Sequence, residues 1–117
     1  MKFIWFWEYD AEDIYDMFEK DAQAKKLREE DPKRLPKVIF PAHWLGMEHK
    51  GFTIFEIDDL QQLVNMAAHF YPQKRSNFIP IFEKAMVQET YRKVKKYLSQ
   101  VHYVIYEIIE MLILWER

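Results

Sequence analysis

The chain opens on residues 2–9, Lys-Phe-Ile-Trp-Phe-Trp-Glu-Tyr, where β-branched and aromatic groups occupy both alternating faces. That is the pattern of a strand covered on two sides. Asp10 stands where it can cap a helix over residues 11–29, in which Ala11, Ile14, Tyr15, Phe18 and Ala22 follow the three-and-four spacing of one buried stripe. Asp31-Pro32 and Leu35-Pro36 close it, because a residue before proline is pushed out of the helical region. Residues 37–45 read as a second strand. Its Pro41 has no N–H to give to a ladder, so the strand lies at an edge or is bulged. A turn over 46–51 leads to a third strand over 52–57. Asp58 or Asp59 then caps a second helix with Leu60, Leu63, Val64, Ala67 and Ala68 on its stripe. Tyr71-Pro72 ends that helix, residues 73–77 form a polar loop, and 78–83 give a fourth strand in which Pro80 again marks an edge or bulge.

The last segment has a different period. From residue 88 to 117 there is no Gly and no Pro, and Tyr91, Val94, Leu98, Val101, Ile105, Ile108, Leu112 and Trp115 repeat at steps of three and four. This is a heptad seam. A helix of that length reaches about 45 Å at 1.5 Å per residue, whereas a globule of this size spans roughly 35 Å. The helix therefore outruns its own domain. Tyr97, Val104 and Met111 widen the seam, so more than one neighbour is expected to cover it. Arg92, Lys93, Lys95 and Lys96 fall in its first half and Glu107, Glu110 and Glu116 in its second, the reverse of what the helix dipole favours. Two copies lying antiparallel set each basic half beside the other's acidic half.

The order of elements is βαββαβ followed by a long helix. It predicts an α+β fold: a four-stranded antiparallel ferredoxin-like sheet, the split βαβ arrangement, with both helices on one face. Residues 1–87 form this domain and residues 88–117 an oligomerisation helix attached to it. The other face of the sheet is left bare. An aromatic-rich bare face exceeds what a monomer of this size leaves in water, so a partner is expected over it.

Composition narrows the classes of function. Seventeen Lys and Arg against nineteen Asp and Glu leave a net charge of −2, which provides no field for polyanions, and no nucleic-acid partner is expected. The absence of cysteine removes disulfides, thiolate metal sites and thiol nucleophiles, and points to a reducing cytoplasm. The apolar start reaches Glu8 and Asp10 too soon for a signal peptide. The apolar run 101–115 is broken by His102, Glu107 and Glu110 and is shorter than the about 20 residues of a membrane span, so no membrane partner is expected. With glycine only at positions 46 and 51 there is no phosphate-cradling loop.

Residues 1–87 resemble the small domains of unknown function in the dimeric α+β barrel superfamily. The resemblance rests on the short aromatic first strand, on Gly51-Phe-Thr-Ile-Phe-Glu-Ile-Asp58 running into a helix, and on Ile79-Pro-Ile-Phe-Glu83. It implies two such sheets facing each other and a pocket between sheet and helices lined by aromatic residues. Relatives in that superfamily include cofactor-independent monooxygenases, haem-degrading enzymes and binders of small ligands. The long final helix departs from the family's compact ending.

The candidate site follows from these elements. Trp5 and Trp7 share one face of the first strand with Phe3 and Tyr9, and are expected to bind a small apolar or aromatic ligand together with His43 and Trp44 of the proline-distorted second strand. His43 is the one histidine on a strand and the weak candidate for a catalytic base, since imidazole titrates near neutrality. The competing accounts are that the aromatics are interface core and that His43 is bonded to backbone. His43, His49, His69 and His102 show no metal-ligand spacing, so neither a metal nor a cofactor is expected. His69 suits the last turn of a helix, where its charge meets the negative dipole end. Three readings stand: a ligand-binding homo-oligomer, a cofactor-independent oxygenase in the same pocket, and an oligomer that is purely structural.

Overall fold

The computed structural model describes residues 1–116. Strand β1 (Lys2–Glu8) is central. It pairs antiparallel with β3 (Lys50–Glu56) on one side and with β4 (Arg75–Ile81) on the other, and β2 (Lys37–Trp44) pairs with the outer side of β3. The order β2-β3-β1-β4 is the expected ferredoxin-like sheet. The two strands that contain proline are its two edges, where a missing N–H interrupts no central ladder. In β2 the register also shifts between Val38 and Phe40 and again between Phe40 and His43. β4 starts at Arg75, so part of the segment read as a polar loop belongs to the sheet.

Alternation along β1 decides which face is which. Phe3, Trp5, Trp7 and the following Tyr9 are buried together with Phe55 and Ile57, against Met17 and Ala24 of α1 (Ile14–Glu30) and Met66 and Phe70 of α2 (Leu60–Phe70). Both helices therefore lie on this face. The opposite face carries Ile4 and Phe6, opposite Ile54 and Phe52 of β3, with Ile79, Ile81 and Phe40 on its flanks.

The helices turn differently from the stripes read in the sequence. Tyr15 and Phe18 are 80% and 51% exposed, and α1 instead buries Met17 and Ala24, with Ile14 and Leu27 packed beside them. In α2, Leu60 and Val64 face outward while Gln62, Met66 and Phe70 are buried. A helical period admits neighbouring stripes, and packing against the sheet selects the one in which Met17 and Ala24 join the buried cluster of Trp5 and Trp7.

The caps also sort themselves by competition. Asp59 caps α2 through a capping box, its carboxylate accepting from the Gln61 N–H at 2.9 Å while Gln62 Oε1 accepts from the Asp59 N–H at 3.4 Å and also from the Asp58 N–H at 2.8 Å. Asp10 occupies the corresponding place before the short 3-10 turn Ala11–Asp13 but makes no cap hydrogen bond; its carboxylate accepts from Arg75 at 3.3 Å.

The chain divides into two compact units, Met1–Ile81 and a second that begins at Phe82. The second is the single helix α3 (Lys84–Glu116), 33 residues long and so about 50 Å. It starts four residues earlier than its periodicity indicates; Arg117 lies outside the described residues. By length and composition alone it is long and apolar enough to cross a membrane. None of its residues is buried.

The hairpin between β2 and β3 turns at Gly46, whose φ of +67° suits glycine. Gly51 serves a different need. A Cβ there would collide with the His43 carbonyl and stand 2.6 Å from the Trp7 ring. Gly51→Ala is therefore expected to destabilise the fold by about 2 kcal/mol or more through forced displacement of Trp7, seen as a lower denaturant midpoint, whereas Gly46→Asn costs far less.

Candidate functional site

The largest cavity of the first unit lies between the sheet and α1, with a volume of about 650 Å³. Its walls are Trp5 of β1, Thr53 of β3, Val38, Pro41 and Ala42 of β2, Phe70 of α2 and the inner side of α1. Pro41 and Ala42 of this wall lie within the second register shift of β2.

Lys74 gives the cavity its chemistry. Its side chain is 4% exposed, and its ammonium lies over three rings, 4.6 Å from the centre of Trp5, 4.7 Å from Trp7 and 4.2 Å from Phe70. Such contacts stabilise a desolvated cation. Its one carboxylate neighbour among the described residues is Asp21 at 3.6 Å, itself 55% exposed. Burial pushes the Lys74 pKa down, and Asp21 opposes that shift. Arg28, also on the cavity wall, is pushed down by burial and raised by Asp21; its Nε donates to the Pro36 carbonyl at 3.1 Å.

Two tryptophans differ in how their N–H groups are satisfied. Trp7 Nε1 donates to Thr53 Oγ1 at 3.2 Å. Trp5 is 4% exposed, and its buried Nε1–H has no hydrogen-bond partner among the described residues. A buried donor left unpaired costs about 1–3 kcal/mol and is uncommon in folded proteins. The Trp5 ring is otherwise well held, stacked on Phe78 at 5.9 Å and tilted on Phe70 at 5.3 Å.

The residues expected to form one site separate. Trp5 lines the cavity, and Trp7 stands beside it under Lys74. Trp44 lies on the same side of the sheet but at its edge, packed on Tyr9 and His49. His43 is on the opposite face, stacked on Phe40 at 4.5 Å and beside Phe52, with Nδ1 2.7 Å from the Pro41 carbonyl. Neighbouring strand residues point to opposite faces, so His43, paired with Phe52, is turned away from Trp44, paired with Gly51. His69 tethers α2 to α1, its Nε2 2.9 Å from the Lys20 carbonyl. Asp10, Glu12 and Asp13 cluster in an exposed turn, but the Asp10 carboxylate there is paired with Arg75.

Lys74, Asp21 and Arg28 are the site residues that pattern reading misses. Asp21 and Arg28 carry a signal nonetheless. Ile14, Met17, Asp21, Ala24 and Arg28 step by three and four along the sheet-facing side of α1, so two charged residues interrupt the buried stripe. Lys74 carries none, because a lysine among Gln73, Arg75 and Ser76 looks like any solvated one.

Replacing a buried charge by an apolar group of similar length is often neutral or stabilising. Lys74→Met is thus expected to keep the fold and to leave stability unchanged or raise it by up to about 4 kcal/mol, measured as the urea midpoint at pH 7. The unfolded chain binds the Lys74 proton more tightly than the folded one. Wild-type stability therefore gains as pH rises from the depressed folded pKa toward the ordinary lysine value, and Lys74→Met loses that gain.

No curated protein and no solved structure matches the chain. A family model does match, over residues 1–95, and it comprises the sheet, α1, α2 and the start of α3. The chain belongs to the family described as Domain of unknown function (DUF3303), which carries no assigned activity.

Proposed function

We propose that this chain is a ligand-binding homo-oligomer that holds a small molecule with an apolar or aromatic body between its sheet and α1. The observation that carries this reading is the cavity of about 650 Å³ itself. It lies within the range of small-molecule sites, and it combines apolar walls with a few buried polar groups. Trp5 and Phe70 supply flat apolar surface, and Lys74 and Arg28 supply orientation.

The oligomer reading rests on the bare sheet face and on α3, and it places the chain in the dimeric α+β barrel superfamily. Phe6, Phe40, Ile79 and Ile81 are exposed on that face, with Ile4, Phe52 and Ile54 half-buried among them. The ends of the patch carry complementary charges across the strands, Lys2 opposite Glu56 at one end and Glu8 opposite Lys50 and Arg75 at the other. An apolar centre with a polar rim is the anatomy of an interface, and a second copy of the same sheet matches it by two-fold symmetry. For α3, the apolar seam and the reversed charge order favour an antiparallel copy over a bilayer, because Glu107 and Glu110 sit within the stretch that a membrane would have to enclose. The oxygenase reading needs a proton acceptor at the cavity. His43, its candidate, is on the far face of the sheet, and no observation favours that reading.

Phe52→Glu is expected to reduce the particle mass by half in detergent-free light scattering while the far-ultraviolet circular dichroism stays unchanged. Ile105→Asp on the seam of α3 is expected to lower the assembly size further, and the wild-type chain is expected to remain in the supernatant rather than float with phosphatidylcholine vesicles. Unchanged mass in both variants, or flotation of the wild type, overturns the oligomer reading.

A further inference from the structure

We infer that the cavity between the sheet and α1 is specific for a molecule that bears a single carboxylate on its apolar or aromatic body, the carboxylate being seated on Lys74 and the indole N–H of Trp5. This rests on the ligand-binding reading above and narrows it to a chemical class.

The argument is a balance of donors and acceptors. Lys74 offers three N–H donors to one carboxylate oxygen of Asp21 at 3.6 Å, well beyond the about 2.8 Å of a charge-assisted hydrogen bond. Trp5 offers a donor with no acceptor. Arg28 offers five, of which Nε reaches the Pro36 carbonyl and Nη2 only the sulfur of Met66 at 3.9 Å. Thr53 already accepts from Trp7, which leaves its own hydroxyl hydrogen free to donate. The buried groups of the cavity are therefore rich in donors and poor in acceptors, its carboxylates Asp21 and Glu29 being exposed, and the complementary group accepts without donating. An ionised carboxylate does this, with two oxygens and about four lone-pair positions.

Charge selects among acceptors. The wall carries Lys25, Arg28 and Lys74 against Asp21 and Glu29, a surplus of one positive charge. One carboxylate neutralises that surplus; a phosphate dianion overshoots it and meets the two acidic groups. A cationic ligand, the other usual guest of an aromatic cage, is excluded because the protein's own Lys74 already fills the cage formed by Trp5, Trp7 and Phe70. The ligand's body is read from the remaining wall, where Trp5, Phe70, Val38 and Pro41 offer apolar contact.

The test uses the full chain and matched pairs of probes: benzoate, 3-phenylpropionate, indole-3-acetate and octanoate, each beside its primary amide. Binding is measured by isothermal titration calorimetry and by the indole N–H resonances in proton–nitrogen correlation spectra, with the Trp5 peak assigned by its loss in Trp5→Phe. At least one acid is expected to bind about tenfold or more tightly than its amide and to move the Trp5 N–H peak downfield. In Lys74→Met that preference is expected to fall to about threefold or less while the amide's affinity is kept, and Trp5→Phe, which keeps a ring on the wall, is expected to weaken the acid alone. If an amide binds the wild type as well as its acid, the carboxylate inference is overturned while the cavity remains a ligand site. If neither set binds a chain whose spectrum shows it folded, both readings fall.

Discussion

The structure depends on one constraint, the strict two-residue alternation of β1 at the centre of the sheet. Because side chains point to opposite faces in turn, Phe3, Trp5, Trp7 and Tyr9 must all enter one layer, and Ile4 and Phe6 must all enter the other. A single slip of register would exchange the two sets. Gly51 lets Trp7 lie flat against β3, where any Cβ would hold it away, and Thr53 next along that strand fixes the indole by its N–H. The aromatic layer is then covered by Met17 and Ala24 of α1 and by Met66 and Phe70 of α2.

From this follows the unusual setting of Lys74. The lysine just before β4 points into the aromatic layer rather than into water, so its charge is met by ring faces and by a partly exposed Asp21 instead of by a close hydrogen-bonded partner. Hydrophobic packing alone gains nothing from a charge there. Arg28 and Asp21 extend the same polar group along the inner side of α1, and Trp5 adds an unpaired donor. Proteins that retain incompletely satisfied polar groups in an otherwise apolar layer commonly do so at a binding site, where a guest completes the set. The opposite face is mainly apolar, with His43 and Asn77 among its aromatic and aliphatic side chains and charged residues at its ends.

Much of the architecture was legible beforehand. The four strands, two short helices and long final helix, their order, the edge placement of Pro41 and Pro80, and the bare apolar face all follow from period and from the chemistry of proline, which act locally along the chain. The site was legible only in part. Trp5 and Trp7 were identifiable because aromatic residues at alternate positions must share a face. His43 looks like their companion because it neighbours Trp44, but neighbouring strand residues point to opposite faces, and His43 lies beside Phe52 on the other side. The stripes of α1 and α2 were misplaced for a related reason. Hydrophobicity favours Tyr15, Phe18, Leu60 and Val64, while the packed structure buries Met17, Ala24, Met66 and Phe70, and Gln62 through its hydrogen bonds to backbone.

The division between chain and fold follows from the range over which each kind of information acts. Period, proline and glycine chemistry and heptad spacing act within a few residues, and they established the elements, the topology class and the presence of a long final helix. Which residues meet across the sheet and helices is a matter of register, packing and dielectric. Lys74 is 53 positions from Asp21 and 69 from Trp5 in the chain, and only the packed aromatic layer joins them and removes the water that would make the lysine ordinary.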